Sequence, residues 1–432
     1  MAEKLALFGG PKTVTQTAPA WPYLEDQDIE AGCQGLRKSR EDTRYLTAPG
    51  GGGPVGDFEK RFAEYFGANY AISTCGGGPA LHIALAAAGV EVGDEVIVSP
   101  YTWGQTVSCI LHQNAIPMFA DIDPRTYNLS PRAIEGRITS RTQAILVVHL
   151  YGHPADMDGI MALANERGLR VIEDCAQASG ARYRGRYVGT FGDFGCFSIG
   201  SGKNFIGGEG GMLACNDQRL YQCASLVGMH PARHAADLVD QDLRQQSDSL
   251  IYTYRIHPLA AVIANSQLDR LEAMNEWRRR NAERLSAGLE NIPGIAPPYV
   301  APGCEHAYHM YCPTFVPEQV EGVSRDKWIE ALRAEGVPIG PGYVRTPIHL
   351  RRVFQEKNYF YGKGCPWRCT RSPVEYRGGD CPVAEDRCAR TELTIGGGSN
   401  WYQDCSSLMD QYLAGFEKVT ANLDALRQHA PQ

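Results

Sequence analysis

Hydrophobic and polar positions along the first two-thirds of the chain switch repeatedly between two periods. In DFEKRFAEYFG (57–67) apolar residues fall at helical spacing, at Phe58, Phe62, Tyr65 and Phe66, and Gly67 closes the segment. NYAISTC (69–75) reads as a short strand. Three glycines follow, then PALHIALAAAGV (79–90), a helix with Pro79 near its first turn. The alternation continues: DEVIVSP (94–100) predicts a strand, TVSCILHQN (106–114) a helix and IPMFADID (116–123) a strand. AILVVHLYG (144–152) is a continuous apolar run, as expected of a strand buried on both faces of a sheet. MDGIMALANERG (157–168) predicts a helix, and LRVIEDCAQA (169–178) a strand ending in acidic and polar residues.

Strands alternating with helices imply an α/β fold with a mainly parallel sheet. Such sheets take ligands beyond the carboxyl ends of their strands. That rule singles out 75–79, 101–106, 151–153, 174–177 and 198–203. One long helix is expected over 258–290, and the prolines and glycines of NIPGIAPPYVAPG (291–303) mark a boundary. The expected organisation is a large domain over 20–290 and a smaller α+β domain over 291–432. The arm 1–19 would pack on the protein or on a partner subunit. Residues 362–380 lack periodicity and read as a loop.

Composition narrows the picture. The 432 residues are 43% hydrophobic and 21% charged, ordinary for a globular protein with a sizeable core. A formal charge of −7 and the lack of a basic cluster argue against nucleic acid as a partner. No apolar run reaches the length of about 18 residues that a membrane span needs. The start, MAEKLALFGGPKT, has no signal-peptide pattern, so a cytoplasmic protein with reduced cysteines is expected. Cys365, Cys369, Cys381 and Cys388 cluster, but the intervening spacings of three, eleven and six residues do not match paired zinc ligands. Packing or a loop disulfide is expected there, and no metal.

Four segments carry candidate chemistry. In CGGGPALHIAL, glycines between a strand and a helix free backbone N–H groups for an anion, or simply make a tight turn. In EDCAQASGA, Asp174 ends a strand, either as a helix cap or as a carboxylate facing a protonated ring nitrogen. Trp103 in SPYTWGQT is a core aromatic or a platform for a flat ring. In CFSIGSGKNFIGGEGG, Lys203 is a solvated loop lysine or an amine placed to attack a carbonyl. Together the four match the needs of pyridoxal 5'-phosphate: an anion cradle, a ring platform, an acid for the ring nitrogen and a Schiff-base lysine.

The stretch from ADIDPRTYNLSPRAIEGR through VIEDCAQASGA to CFSIGSGKNFIGGEGGMLACND resembles the DegT/DnrJ/EryC1/StrS family of sugar aminotransferases. The acid–x2–Gln, Ser–x4–Lys and GEGG motifs stand in that family's order, and the resemblance runs from about residue 20 to the C-terminus. It implies a pyridoxal-phosphate-dependent transferase of the aspartate-aminotransferase-like fold, type I, in a homodimer whose subunits share their sites. It further implies that Lys203 is the Schiff-base lysine and Asp174 the acid at the pyridine nitrogen. Gln177 would lie near the phenolic oxygen, Trp103 on the ring, and Ser198, Gly77 and Gly78 at the phosphate.

There are two departures. The family loop often reads Gly-Thr or Gly-Ser where this chain has Gly77-Gly78, so a hydroxyl is missing. The partner-subunit segment often reads Asn-Tyr-Arg where this chain has Thr253, Tyr254 and Arg255. Arg255 keeps the reach to a neighbour's site, whereas Thr253 is shorter than Asn. The tail CPVAEDRCARTELTIGGGSNWYQDCSSLMDQYLAGFEKV resembles the branch acting on keto-cyclitols and small keto-sugars, of the glutamine:scyllo-inosose type. The expected donor is glutamine or glutamate, and the setting aminocyclitol (antibiotic-type) biosynthesis. A nucleotide-keto-sugar aminotransferase and a 3-amino-5-hydroxybenzoate synthase are the alternatives. His153 and Tyr343 are candidates to line the substrate pocket, and Arg345 to meet the donor's carboxylate.

Overall fold

Seven strands form the central sheet: β1 (Tyr70–Thr74), β2 (Glu95–Val98), β3 (Ile116–Phe119), β4 (Thr142–Val148), β5 (Arg170–Asp174), β6 (Phe194–Ser198) and β7 (Gly211–Cys215). The structure is a computed structural model and describes residues 3–200 and 202–428. The strand order is β1-β7-β6-β5-β4-β2-β3. Strands β3, β2, β4, β5 and β6 pair in parallel, and β7 runs antiparallel to both β6 and β1. The expected α/β class with a mainly parallel sheet is the observed one. Strand β7, GMLAC, lies outside the predicted strands; it opens with glycine and has no β-branched residue.

Period-two packing explains why β4 is apolar throughout. Ala144, Leu146 and Val148 face one core cluster, while Ile145 and Val147 face the other, with Phe58, Phe62 and Phe66. The run 144–152 is extended only to Val148. It continues as a 3-10 turn, Leu150–Gly152, in which Tyr151 takes φ 60° and Gly152 φ 99°. Likewise 169–178 is strand only to Asp174. Apolar content marks these ends as buried, but the chain turns there to form the ligand edge.

The segment 258–290 is two helices, Pro258–Leu268 and Leu271–Leu289, rather than the one expected. Arg270, between the two helices at φ −108° and ψ −6°, is held by Glu25 and Asp28, while Asp269 is held by Arg61. Hydrophobic periodicity does not register a break imposed by ion pairs to distant segments.

A third apolar cluster joins Leu285 and Leu289 to Trp328, Leu332, Trp401, Tyr412 and Phe416. The N-terminal arm belongs to this cluster within its own chain. Leu5 and Val14 are buried in it, and Val14 N–H donates to Glu335 O at 2.8 Å. Residues from Val344 to Cys388 contribute instead to the core on the sheet, through Ile348, Phe354, Trp367 and Tyr376. Cys365 and Cys369 form a disulfide, and Cys381 and Cys388 are buried thiols. Among the described residues no helix is long and apolar enough to cross a membrane.

Candidate active site

A cavity of ≈ 380 Å³ opens at the carboxyl ends of β4, β5 and β6, where Val148, Asp174 and Ser198 line it. Eight of the residues singled out in the sequence meet there: Gly77, Gly78, Trp103, Asp174, Gln177, Ser198, Lys203 and Tyr343. Four do not. Thr253 is exposed. Arg255 pairs with Thr74 in a β-bridge and lines a separate small pocket with Arg233. Arg345 is exposed beside Asp326, Glu330 and Arg333 in a cleft on another face.

His153 is the fourth, and its surroundings correct the expectation of a pocket residue. It is buried, its Nδ1 donates to Pro154 O at 2.6 Å, and its Nε2 accepts from Ala301 N–H at 3.0 Å. Both ring nitrogens are spent on backbone. The positive φ at Tyr151 and Gly152 turns the chain after β4, so His153 enters the interior rather than the cavity.

Asp174 is held on both oxygens. Thr106 Oγ1 donates to Oδ2 at 2.8 Å and Ala176 N–H to Oδ1 at 3.0 Å. Burial raises its pKa, against those hydrogen bonds and the charge of Lys203. Lys203 responds in the opposite sense: burial lowers its proton affinity and Asp174 opposes the drop. Two groups of opposite charge therefore share one cavity, each displaced toward its neutral form.

The anion-binding end is built from backbone. The helix Gly77–Ala87 starts at the glycines themselves and has no side-chain cap, so its first N–H groups remain free. A Cβ on Gly77 would lie 3.0 Å from Ser198 Cβ. Glycine thus lets the helix start approach the end of β6 and brings the Ser198 hydroxyl beside the free N–H groups. Beyond Gly78, the space a side chain would take is filled by Gln105, whose Cδ lies 3.4 Å from an ideal Cβ.

On the other side, Trp103 and Tyr343 stack with ring centroids 6.3 Å apart. Gln177 Nε2 donates to Tyr343 Oη at 3.3 Å, and its Oε1 accepts from Tyr151 N–H at 2.7 Å. Glu392 closes the ring. One of its oxygens accepts from Tyr343 N–H at 2.8 Å and from the Tyr151 hydroxyl. Burial raises the Glu392 pKa, against the hydrogen bond from Tyr343 N–H.

Thr106, Gln105, His309 and Glu392 are the residues the sequence reading missed. Only Gln105 and Thr106 carried a signal, as members of the strand-end segment 101–106. His309 lines the cavity and leaves a buried Nδ1 without a partner among the described residues. His149, Glu173 and Cys175 bring ligand-type atoms within 4.8 Å of one another. Their lone pairs are already used: Glu173 accepts from Gly189, Phe191 and Gly192 N–H and from His149, whose Nδ1 accepts from Ala155.

The profile of the DegT/DnrJ/EryC1/StrS aminotransferase family matches residues 46–367, and the chain belongs to that family. It is an aminotransferase by fold and by descent. It is 34% identical to the L-glutamine:2-deoxy-scyllo-inosose aminotransferase of Micromonospora echinospora, over 98% of this chain and 99% of that one. Among solved structures, the aminotransferase from Psychrobacter cryohalolentis aligns with a TM-score of 0.78 and 28% identity, covering 94% of this chain and all of that one. DesI, solved in the presence of its TDP-sugar product, aligns with a TM-score of 0.76 and 25% identity, over 98% of this chain and 97% of that one.

The family implies pyridoxal 5'-phosphate, and the residues present fit it. The cavity offers an uncapped helix start for the phosphate, a buried carboxylate for a cationic ring nitrogen, aromatic faces and an amine with lowered proton affinity.

Proposed function

We propose that this enzyme moves the amino group of L-glutamine to the ketone of a keto-cyclitol, with pyridoxal 5'-phosphate as carrier between two half-reactions. One observation carries the reading. Lys203, Asp174, Gln177 and Ser198 converge on one cavity, in a chain 34% identical over 98% of its length to a glutamine-dependent scyllo-inosose aminotransferase.

When bound, pyridoxal 5'-phosphate supplies an aldehyde for the amine and a ring that accepts the electron pair released at the donor's Cα. Lys203 holds it through Nζ. Once displaced by the donor, Nζ takes the Cα proton as a base and delivers a proton as an acid, and lowered proton affinity suits both roles. In the second half-reaction Nζ returns the proton to the carbon that was the acceptor's ketone. Asp174 keeps the ring nitrogen protonated, with Thr106 and Ala176 stabilising the carboxylate. The N–H groups at Gly77 and Gly78 and the Ser198 hydroxyl bind the phosphate, and Trp103 covers the ring. Gln177, fixed by Tyr151 and Tyr343, has a second amide hydrogen free for the phenolic oxygen.

Two assignments complete the reading. Thr253 and Arg255, which do not line their own chain's cavity, reach into the site of the neighbouring subunit of a homodimer. Arg351 takes the place expected of Arg345: it is exposed, and it shares a groove with Trp103 and Gln105, which also line the cavity. Its guanidinium suits a donor carboxylate.

The test is a screen of 2-deoxy-scyllo-inosose, scyllo-inosose and TDP-linked keto-sugars, each with glutamine or glutamate, with amine products read by mass spectrometry. Amination of a keto-cyclitol with glutamine is expected. Turnover confined to nucleotide-linked ketones would sink the acceptor assignment, and full turnover by Lys203→Ala would sink the site.

A further inference from the structure

Behind the turn at 202–204 lies a buried guanidinium that the proposed reaction does not use. Arg278, in the helix Leu271–Leu289, is 0% exposed. Among the described residues no carboxylate pairs with it, and Tyr402 opposes the effect of burial on its proton affinity. Burial pushes its pKa down to about 9, still above neutrality, so it stays cationic. A buried charge without a counter-charge costs several kcal/mol. An apolar side chain would fill the space without that cost.

Three routes run from Arg278 to the lysine. Its Nη1 donates to Asn275 Oδ1 at 2.8 Å, and the same oxygen accepts from Asn204 Nδ2 at 3.2 Å. Its Nε and Nη2 donate to Ser399 O at 3.3 and 3.2 Å, and the Ser399 hydroxyl donates to Gly202 O at 3.1 Å. Its guanidinium lies 4.9 Å from the Trp21 ring centroid, and Trp21 Nε1 donates to Lys203 O at 2.9 Å. Gly202, Lys203 and Asn204 are thus each tied, through one intermediary, to one guanidinium.

We propose that Arg278 is a positioning residue for Lys203, fixing the backbone on both sides of the lysine. The proposal rests on Lys203 being the cofactor-binding lysine. A lysine that alternates between a bound and a free amine needs a moving side chain on an immobile backbone. A planar guanidinium with several donors in fixed directions provides that anchorage, and an ammonium does not. Burial and Asp174 act on the Lys203 proton in opposite senses, and His309, Tyr343 and Glu209 line the same cavity. His309 feels both cations, Lys203 and Arg278, which add to the effect of burial in lowering its proton affinity.

The experiment compares the wild type with Arg278→Met and Arg278→Lys, each loaded with pyridoxal 5'-phosphate. The visible band formed with Lys203 is titrated against pH, and the half-reaction with glutamine is followed at single turnover. For Arg278→Met the pKa of the band should stay near wild type, since burial and Asp174 set the proton affinity of the amine and a damaged fold would move it. Its half-reaction should slow by about 10- to 100-fold, as a misplaced catalytic group does. Arg278→Lys keeps the charge and loses the fork, so its band pKa should stay near wild type while its half-reaction slows. If Arg278→Met does not fold, Arg278→Lys alone decides: wild-type half-reaction kinetics in it overturn the proposal. A folded Arg278→Met with an unchanged rate also overturns it. A wild type that forms no band with Lys203 overturns the lysine assignment, and this proposal with it.

Discussion

Thr106 Oγ1 lies 2.8 Å from Asp174 Oδ2 and donates to it inside the cavity wall. This hydrogen bond opposes the burial that would otherwise leave the carboxyl protonated. Thr106→Val removes the donor and keeps the shape. A hydrogen bond to a charged group contributes about 1.5–3 kcal/mol, so cofactor affinity should fall by about tenfold or more. Fluorescence titration of the apoprotein with pyridoxal 5'-phosphate reads the change. Unaltered affinity would mean that Thr106 does not help to keep Asp174 ionised.

Asp174 itself links the site to stability. Its folded-state pKa is raised, chiefly by burial. Its contribution to stability is therefore complete below the ordinary carboxylate range and is lost as pH rises through the raised value. Without cofactor, Asp174→Asn should escape that loss and melt higher than the wild type near neutral pH, with the gap closing as pH falls. Thermal unfolding of both apoproteins across pH measures it. The same variant should lose most transamination, because a neutral amide does not hold a proton on the ring nitrogen. An Asn variant less stable at neutral pH would show that the carboxylate is satisfied without its ligand.

Gly78 and Gln105 form a pair in which one side chain occupies the space the other lacks. Gln105→Ala should weaken cofactor binding by about 3- to 10-fold, the worth of one neutral hydrogen bond. Gly78→Ser in that background should restore it, since Gly78 does not take a positive φ. Equilibrium dialysis of the three proteins decides. If Gln105→Ala binds as the wild type does, the helix N–H groups and Ser198 suffice for the phosphate.

Lys203 and Asp174 were legible because each is a charged residue beside a strand end or a glycine run, where an exposed loop would not need its neighbours. Strands β1 to β5 were legible because apolar runs with β-branched residues recur at regular spacing; β6 and β7, FGCFS and GMLAC, carry no β-branched residue. What the sequence hid arises from the path of the chain in space. His309 sits far along the chain from the other cavity residues, and no motif announces it. Gln105 matters only because residue 78 has no side chain. His153 follows a strand end as a ligand residue would, yet two positive-φ residues before it turn it inward. The break at Asp269 and Arg270 depends on partners more than 200 residues away in the chain.

Glu392 offers a test of the network behind Tyr343. It serves as an acceptor for Tyr343 N–H and the Tyr151 hydroxyl, and burial raises its pKa. Glu392→Gln retains an acceptor without charge and should keep the fold and most activity. Glu392→Ala leaves Tyr343 N–H unpaired, while the Tyr151 hydroxyl keeps Tyr101, and should cost about 1–3 kcal/mol by chemical denaturation. A glutamine variant as damaged as the alanine one would mean that the carboxyl is ionised.

His153 predicts how the fold fails in acid. Its pKa is lowered from 6.5 to about 4 by burial, so the folded state binds its proton more weakly than the unfolded chain. The geometry gives the reason: Nε2 accepts from Ala301 N–H, and a proton there would face a donor. Stability from this group is complete above 6.5 and is lost as pH falls toward about 4. The full shift corresponds to about 3 kcal/mol. His153→Gln should start less stable at neutral pH, having lost packing, yet lose less between those two pH values. Urea unfolding of both proteins at neutral and acid pH gives the two slopes. Parallel slopes would move the acid sensitivity to His306 and His309, whose proton affinities burial lowers further still.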